Sequence, residues 1–125
     1  MTIVAPRRRV LVFDDSALTL QLVHDALERA GFDVVTAIDL DSFEARRSEL
    51  QPDLILVDVQ MPEAFGDDVA ATLRGARGVR VPILLVSNLE PAELAERARD
   101  ASADGWISKR QGVQEIVRRV KELLS

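Results

Sequence analysis

The chain alternates five short apolar segments with five longer segments of helical periodicity, and this alternation restricts its fold more than any other feature. The short segments are β-branched and apolar along nearly their whole length, which is typical of strands covered on both faces. The longer segments have the spacing of amphipathic helices. A strand–helix repeat of this kind predicts a doubly wound α/β fold with a parallel sheet and right-handed crossovers. The predicted strands are 10–13, 33–36, 54–57, 81–86 and 105–108.

The predicted helices differ in strength. The first begins after Ser16, whose hydroxyl suits an N-cap, and it ends at Gly31, which suits a C-terminal cap. The last, 113–124, has an apolar stripe opposite its charged residues. Pro91 stands where the first turn of a helix tolerates proline. Weaker helices are predicted over 40–50, 66–77 and 91–101.

The relative polarity of the strands predicts their order across the sheet. The segments 10–13, 54–57 and 83–86 are the most apolar, so we expect them to be central. The segment 105–108 is shorter and more polar, so we expect it nearer an edge.

Length and composition indicate a single domain over residues 1–125. A chain of 125 residues with 47% hydrophobic and 30% charged residues is typical of one globular domain. The sequence contains no cysteine, which excludes a disulfide scaffold, thiol catalysis and a zinc–cysteine cluster. This composition fits a cytoplasmic protein.

Charge and hydropathy exclude further classes of function. No apolar run approaches the length of a membrane span, so no membrane insertion is expected, and the amino terminus does not have the pattern of a signal peptide. The net charge of −5 argues against nucleic acid as the main partner. Arg7, Arg8 and Arg9 are interpreted as a solvated lead-in to the first strand, with contact to an acidic partner as the alternative.

Polar side chains follow the predicted strands at the points where the strands end. Asp14 and Asp15 follow the first strand, Asp58 the third, Ser87 the fourth and Lys109 the fifth. In open α/β sheets ligands bind outside the carboxyl ends of the strands, where the strand order switches. We therefore expect these five side chains to form one site.

The residue types of this site predict its chemistry. Three neighbouring carboxylates repel one another, which raises their pKa values unless a cation intervenes, and Mg²⁺ prefers such oxygen ligands. The charge of Lys109 and the hydroxyl of Ser87 suit a phosphate group, and backbone amides after Asp58 add donors. Aspartyl phosphate is a known covalent intermediate, and Asp58 stands alone between the paired acids and the lysine. The pattern predicts a Mg²⁺-dependent phosphoryl pocket with Asp58 as the nucleophile.

The ordered set of motifs resembles the receiver domain of two-component response regulators, and in particular the single-domain, chemotaxis-regulator-like members. The resemblance covers essentially the whole chain and implies a flavodoxin-like fold with strand order 2-1-3-4-5. Its motifs are Phe13-Asp14-Asp15-Ser16, Val57-Asp58-Val59-Gln60-Met61-Pro62 with Gly66 four residues later, Val86-Ser87-Asn88, and Ala103-Asp104-Gly105-Trp106-Ile107-Ser108-Lys109.

The resemblance implies a role for each site residue. Asp58 would accept the phosphoryl group and Lys109 would pair with it. The Mg²⁺ ligands would be Asp14, Asp15, Asp58 and the backbone carbonyl of Gln60.

The resemblance also implies a switch and its partners. Ser87 would move inward to bond the phosphoryl group, and Trp106 would follow it, remodelling the surface of residues 91–124 that binds a downstream target. A histidine kinase or phosphotransfer protein would donate the phosphoryl group. The protein would not be an enzyme beyond self-phosphorylation from small donors and self-dephosphorylation. Whether phosphorylation drives homodimerisation is left open.

Two residues depart from the family pattern. Arg110 follows Lys109 where the family has a proline with a cis bond. A non-proline cis bond costs about 3 kcal/mol, so a trans bond and a looser loop are expected. Trp106 is larger than the usual tyrosine or phenylalanine, so we expect its inward state to be partial or strained.

Three other functions stay open. A degenerate receiver that only docks proteins is compatible with Arg110. An aspartate-nucleophile phosphatase usually has a second acid two residues after the nucleophile, where this chain has Gln60. A flavodoxin-like nucleotide binder needs a phosphate-cradling loop after the first strand, where Asp14 and Asp15 would repel a phosphate that lacks a metal.

Overall fold

A computed structural model describes residues 7–62 and 64–124. The predictions of a single domain over 1–125 and of an amino terminus without a signal peptide also concern residues 1–6, 63 and 125, which lie outside the described residues. The strands and helices alternate in the order β1 (Arg9–Phe13), α1 (Ala17–Arg29), β2 (Asp33–Ala37), α2 (Leu40–Leu50), β3 (Leu54–Asp58), α3 (Gly66–Arg74), β4 (Ile83–Ser87), α4 (Pro91–Asp100), β5 (Gly105–Ser108) and α5 (Val113–Leu124).

The strands form one parallel sheet in the order β2-β1-β3-β4-β5, as the sequence and the family resemblance predicted. The apolar strands β1, β3 and β4 are central, and the shorter β5 lies at an edge. Asp58 pairs with Val86, and Ser87 pairs with Ser108. The register therefore brings the carboxyl ends of neighbouring strands to one edge of the sheet.

The helices cover both faces of the sheet and produce two apolar cores. The helices α1 and α5 pack on one face, and α2, α3 and α4 pack on the other. In the second core the rings of Phe13 and Phe43 stack at 4.7 Å between centroids. Because both faces are covered, the strand residues are apolar on both sides, which accounts for the near-continuous apolar runs in the sequence.

The ends of several elements differ from the prediction for local reasons. The helix α3 ends at Arg74 instead of residue 77, because Gly75 is its C-cap. The strand β4 begins at Ile83 instead of residue 81, because Pro82 has no N–H for the ladder. In α1 the predicted N-cap is confirmed, since Ser16 accepts a hydrogen bond from the Thr19 N–H. The helix ends at Arg29 with Ala30 as its C-cap, and the chain turns one residue later, at Gly31, with a φ of +103°.

Arg7 and Arg8 are exposed, as the predicted lead-in requires, but Arg7 and Arg9, the first residue of β1, also make specific contacts. Arg7 donates to the backbone oxygens of Glu28 and Gly31 at the end of α1. Arg9 donates to the backbone oxygen of Leu50 at the end of α2. Both side chains therefore donate to carbonyl groups at or just beyond a helix C-terminus, where a positive charge is favourable.

The helices of residues 7–62 and 64–124 are all too short or too polar to cross a lipid bilayer.

Candidate functional site

The polar residues that follow the strands converge at the carboxyl edge of the sheet. Asp14 follows β1, Asp58 ends β3, Ser87 ends β4 and Lys109 follows β5. The strand order reverses between β1 and β3, so the edge has the crevice in which ligands of such sheets bind. The predicted site therefore forms where the fold is expected to place one.

Three carboxylates form the acidic part of the site. Asp14, Asp15 and Asp58 each offer a carboxylate oxygen, and these oxygens lie within 4.8 Å of one another. Asp14 and Asp58 are buried, whereas Asp15 is exposed. This set of oxygen donors fits a hard divalent cation such as Mg²⁺, which binds a few carboxylates and keeps water ligands.

Lys109 bridges two of these acids. Its Nζ lies 2.8 Å from Asp14 Oδ2 and 3.3 Å from Asp58 Oδ2. Burial lowers the pKa of Lys109, but the two carboxylates outweigh this effect and the pKa is raised above its usual value. The lysine is therefore a fixed positive charge between Asp14 and Asp58.

Local backbone bonds orient the two buried acids toward the lysine. Asp14 Oδ1 accepts a hydrogen bond of 2.9 Å from the Ser16 N–H, at the start of α1. Asp58 Oδ1 accepts one of 3.2 Å from the Gln60 N–H, in the turn after β3. Each side chain bonds the backbone two residues on, a local pattern typical of aspartate. One oxygen of each acid is thus held by the backbone, and the other faces Lys109.

The pKa of the Asp58 carboxyl is raised to about 6. Burial is the largest cause, and the charge of Asp14 adds to it. Lys109 and the Gln60 N–H act in the opposite direction without cancelling the effect. The repulsion that the sequence predicted among the acids is therefore present, and a lysine compensates only part of it.

The turn after β3 passes directly over Asp58. The Gly66 N–H donates to the Val59 backbone oxygen over 3.0 Å. A Cβ on Gly66 would collide with the backbone of Asp58, so only glycine fits at the start of α3. The spacing of this glycine from the Asp58 motif is therefore a geometric requirement of the site.

The hydroxyl of Ser87 contacts Gln60 and not Asp58. Ser87 Oγ donates to Gln60 Oε1 over 3.3 Å and accepts from the Leu89 N–H over 3.2 Å. Ser87 is fully buried, whereas Gln60 is exposed. The side chain of Gln60 is thus part of the site, in addition to the backbone carbonyl that the family resemblance implied.

Trp106 lies on the edge strand, half-buried against the second core. It pairs with Leu85 of β4, and two residues later Ser108 pairs with Ser87. Trp106 is therefore close to Ser87 along the sheet and borders the surface formed by α4, β5 and α5.

The Lys109–Arg110 bond is trans, as expected for a non-proline residue. The loop is a short 3₁₀ turn over Lys109–Gln111, whereas a looser loop had been expected. The Arg110 N–H, which proline lacks, donates to Ser108 Oγ over 3.2 Å. This bond gives the turn a cap that the family's proline could not make, and Lys109 reaches the acids.

The surface of α4 carries one further contact to the turn after β3. The guanidinium of Arg97 lies 5.5 Å from the centroid of the Phe65 ring and 3.3 Å from Asp67. Arg97 thus joins α4 to the start of α3.

A known protein family matches most of this chain. The family model of the response regulator receiver domain matches residues 10–121. The chain belongs to the receiver-domain family of two-component response regulators.

Relatives of this receiver domain include single-domain and larger regulators. It is 29% identical over 119 residues to the polar-differentiation response regulator DivK of Brucella ovis, covering 94% of this chain and 96% of DivK. It is 35% identical over 117 residues to RpaA of Synechocystis, described as a DNA-binding dual master transcriptional regulator, covering 93% of this chain. The chain spans about half of RpaA, with 48% covered.

The solved structures that resemble this receiver domain include a chemotaxis regulator. The structure of CheY4 from Vibrio cholerae superimposes with a TM-score of 0.85 at 26% identity, covering 94% of this chain and 99% of CheY4. The receiver domain from a Francisella response regulator gives a TM-score of 0.85 at 25% identity, covering 94% and 96%.

Two contacts of the receiver site were not foreseen from the sequence. The Lys109–Asp14 pair and the Ser87–Gln60 hydrogen bond both join residues from different strand ends. Sequence spacing carries no signal for either contact, because each depends on how far a side chain reaches across the crevice.

Proposed function

We propose that this receiver domain is a phosphorylation switch in which Asp58 accepts a phosphoryl group in a Mg²⁺-dependent reaction. The proposal is carried by one observation: Lys109 lies between the buried Asp14 and Asp58 carboxylates, beside Asp15, at the switch point of the sheet. The site has three carboxylates and one lysine, so its negative charge exceeds its positive charge. A phosphoryl group would add further negative charge. A divalent cation offsets that excess.

The residues that would hold Mg²⁺ are Asp14, Asp15, Asp58 and the backbone carbonyl of Gln60. When bound, the ion would neutralise charge on the oxygens of the transferred phosphoryl group. The buried and fixed position of Asp14 and Asp58 means that the chain itself orders most of the site before any ligand arrives.

The transfer step begins at the Asp58 oxygen that faces the crevice. Its lone pair forms a bond to phosphorus, and the bond from phosphorus to the donor's nitrogen or oxygen breaks with its electron pair going to the donor. Asp58 acts as a nucleophile in its ionised form, and a bound divalent cation would favour that form by offsetting the raised pKa of the metal-free site. Lys109 no longer pairs with an Asp58 carboxylate after the transfer and pairs with the phosphoryl oxygens instead. The reaction is helped because the phosphoryl donor and the Asp58 oxygen are held in a fixed relative position.

The phosphoryl group would be read out through Ser87 and Trp106. The Ser87 hydroxyl donates a hydrogen bond to a phosphoryl oxygen. Trp106 then moves into the space that this rearrangement leaves. The surface of residues 91–124 changes shape and binds a downstream protein, while a histidine kinase or phosphotransfer protein supplies the phosphoryl group. We infer no catalytic turnover of an external substrate beyond self-phosphorylation and self-dephosphorylation.

Intact-mass spectrometry after incubation with acetyl phosphate and Mg²⁺ tests the proposal. We expect the addition of one phosphoryl group, its loss in Asp58→Asn, and its persistence in Asp100→Asn, which removes an exposed acid from the end of α4. A receiver that serves only as a docking module would give no mass increase at all. A label that persists in Asp58→Asn would place the acceptor elsewhere.

Trp106 fluorescence tests the switch separately from the chemistry. Beryllofluoride with Mg²⁺ should shift the emission of Trp106, the single tryptophan of the sequence, and the shift should be lost in Asp58→Asn. Phosphorylation without any change in emission would leave Asp58 as the acceptor and remove Trp106 from the readout.

A further inference from the structure

Ser87 already has a hydrogen-bond acceptor in the unphosphorylated protein. Its hydroxyl donates to Gln60 Oε1 and accepts from the Leu89 N–H. A serine hydroxyl has one proton to donate, and here the Gln60 oxygen takes it. Because Ser87 is fully buried, leaving this proton without an acceptor is costly. Ser87 therefore has to break its hydrogen bond to Gln60 in order to donate one to any other group.

Gln60 is held in place to make this contact. Its backbone N–H donates to Asp58 Oδ1 over 3.2 Å, and its backbone pairs with Phe65 in an isolated antiparallel bridge. The Phe65 ring in turn lies under the Arg97 guanidinium of α4. The backbone of Gln60 is thus held by Asp58 before it and by Phe65 after it. Its side chain reaches from the turn after β3 to Ser87 at the end of β4.

The two ends of the Ser87–Gln60 bond differ in what they lose when it breaks. Gln60 is exposed, so water can replace Ser87 as a donor to its amide oxygen. Ser87 is buried and depends on a protein or ligand acceptor. An anionic acceptor forms a stronger hydrogen bond than a neutral amide, roughly by a factor of two. The exchange from Gln60 to an anion is therefore favourable, but it is opposed by the bond already present.

We propose that Gln60 is a positioning residue for Ser87, whose amide oxygen holds the Ser87 hydroxyl in the unphosphorylated protein and competes with the phosphoryl oxygen for it. This inference rests on the proposed function of Asp58 as the phosphoryl acceptor. Because Gln60 stabilises the unphosphorylated arrangement, it lowers the affinity of the site for a phosphoryl mimic and sets how readily the switch turns on.

A beryllofluoride titration in the presence of Mg²⁺, followed by fluorine NMR of the bound species, tests the competition. The proteins are the natural chain, Gln60→Met, Ser87→Ala and the double variant. Methionine keeps the length of the side chain and the backbone carbonyl, but its thioether is a weak acceptor. We expect Gln60→Met to tighten beryllofluoride binding by roughly two- to tenfold, the range of one neutral hydrogen bond. In the Ser87→Ala background the same change should alter binding by less than about twofold.

Two further variants make the result independent of a single substitution. Gln60→Leu also lacks an acceptor and should tighten binding in the same direction as Gln60→Met. Ser87→Thr, unlike Ser87→Ala, keeps a hydroxyl at this position. In the Ser87→Thr background, Gln60→Met should therefore tighten beryllofluoride binding as it does in the natural chain. Circular dichroism checks that each variant is folded.

The outcomes separate this inference from the function on which it rests. If the natural chain binds beryllofluoride but Gln60→Met has equal effects with and without the Ser87 hydroxyl, then Gln60 acts directly on the ligand and the inference is overturned. Weaker binding in both Gln60→Met and Gln60→Leu would overturn it as well. A natural chain that binds no beryllofluoride would overturn the proposed function itself, and the inference with it.

Discussion

A Cβ on Gly66 would lie 2.0 Å from the backbone oxygen of Asp58, well inside the distance at which two such atoms can pack. We therefore predict that Gly66→Ala displaces the end of β3 and lowers the free energy of unfolding by about 1–3 kcal/mol. Urea unfolding measures the stability, and intact mass measures the loss of phosphoryl uptake by Asp58.

Gly75→Ala is the matched control for this substitution. Gly75 is the C-cap of α3 and has a φ of −84°, which any residue adopts, and its added Cβ would lie 3.3 Å from the Ala71 oxygen. We expect stability to change by less than about 1 kcal/mol and phosphoryl uptake to be unaffected. Equal losses in the two variants would contradict the importance of the Gly66–Asp58 contact.

The raised pKa of Asp58 predicts a pH-dependent cost to stability. The folded protein holds this proton up to pH of about 6, whereas the unfolded chain loses it near the ordinary pKa of 3.8. Between these values the folded state binds more protons, so the contribution of Asp58 makes stability fall as pH rises, and the full cost is reached above pH of about 6. The size of that cost is about 3 kcal/mol.

Asp58→Asn should therefore stabilise the metal-free protein at alkaline pH. We expect a gain of up to about 3 kcal/mol at a pH of about 8 and almost none at a pH of about 3. Urea unfolding in the presence of a chelator measures both values, and Asp100→Asn is the exposed control. A gain that does not depend on pH would mean that ionisation of Asp58 is not its cause.

The position of Lys109 between two acids predicts opposite effects on metal binding and on folding. Lys109→Met removes a positive charge that competes with Mg²⁺, so metal affinity should rise roughly tenfold. The same change leaves Asp14 and Asp58 without their cation, so the metal-free protein should lose about 3 kcal/mol of stability at neutral pH. Calorimetric titration and urea unfolding measure the two effects.

Lys121→Met serves as the control, because Lys121 is the other lysine of the sequence and is exposed on α5. It should change neither quantity appreciably. Weaker Mg²⁺ binding in Lys109→Met would argue that the lysine organises the acids for the metal and does not compete with it.

The Arg97–Phe65 contact predicts an energetic coupling between α4 and the turn after β3. A double-mutant cycle with Arg97→Gln and Phe65→Ala should give a coupling energy of about 0.5–1 kcal/mol, the usual value for a cation–π pair at an exposed site. The same cycle with Arg99→Gln in place of Arg97→Gln should be additive to within about 0.5 kcal/mol. Similar coupling in both cycles would show that the ring contact is not its source.

Local chemistry made some features of the fold predictable. The Ser16 cap of α1 and the proline at the start of α4 depend on neighbouring backbone groups, so residue type and spacing were sufficient. The ends of α3 and β4 were less predictable, because a helical or apolar pattern continues past the residue at which the hydrogen bonding stops. The contacts of Arg7 and Arg9 were not predicted, because their acceptors are more than twenty residues away in the chain.

By itself, the sequence determined the strand–helix repeat, the central strands and the residues that gather at the carboxyl edge. It could do so because strand periodicity, strand polarity and the direction of parallel strands leave few other arrangements. The full strand order 2-1-3-4-5 was predicted from the resemblance to the receiver-domain family. The tertiary structure alone decided which of those residues touch: that Lys109 lies 2.8 Å from Asp14, and that Ser87 donates to Gln60. Contacts of this kind depend on side-chain reach across the space between strand ends, and that space is set by the packing of both cores at once.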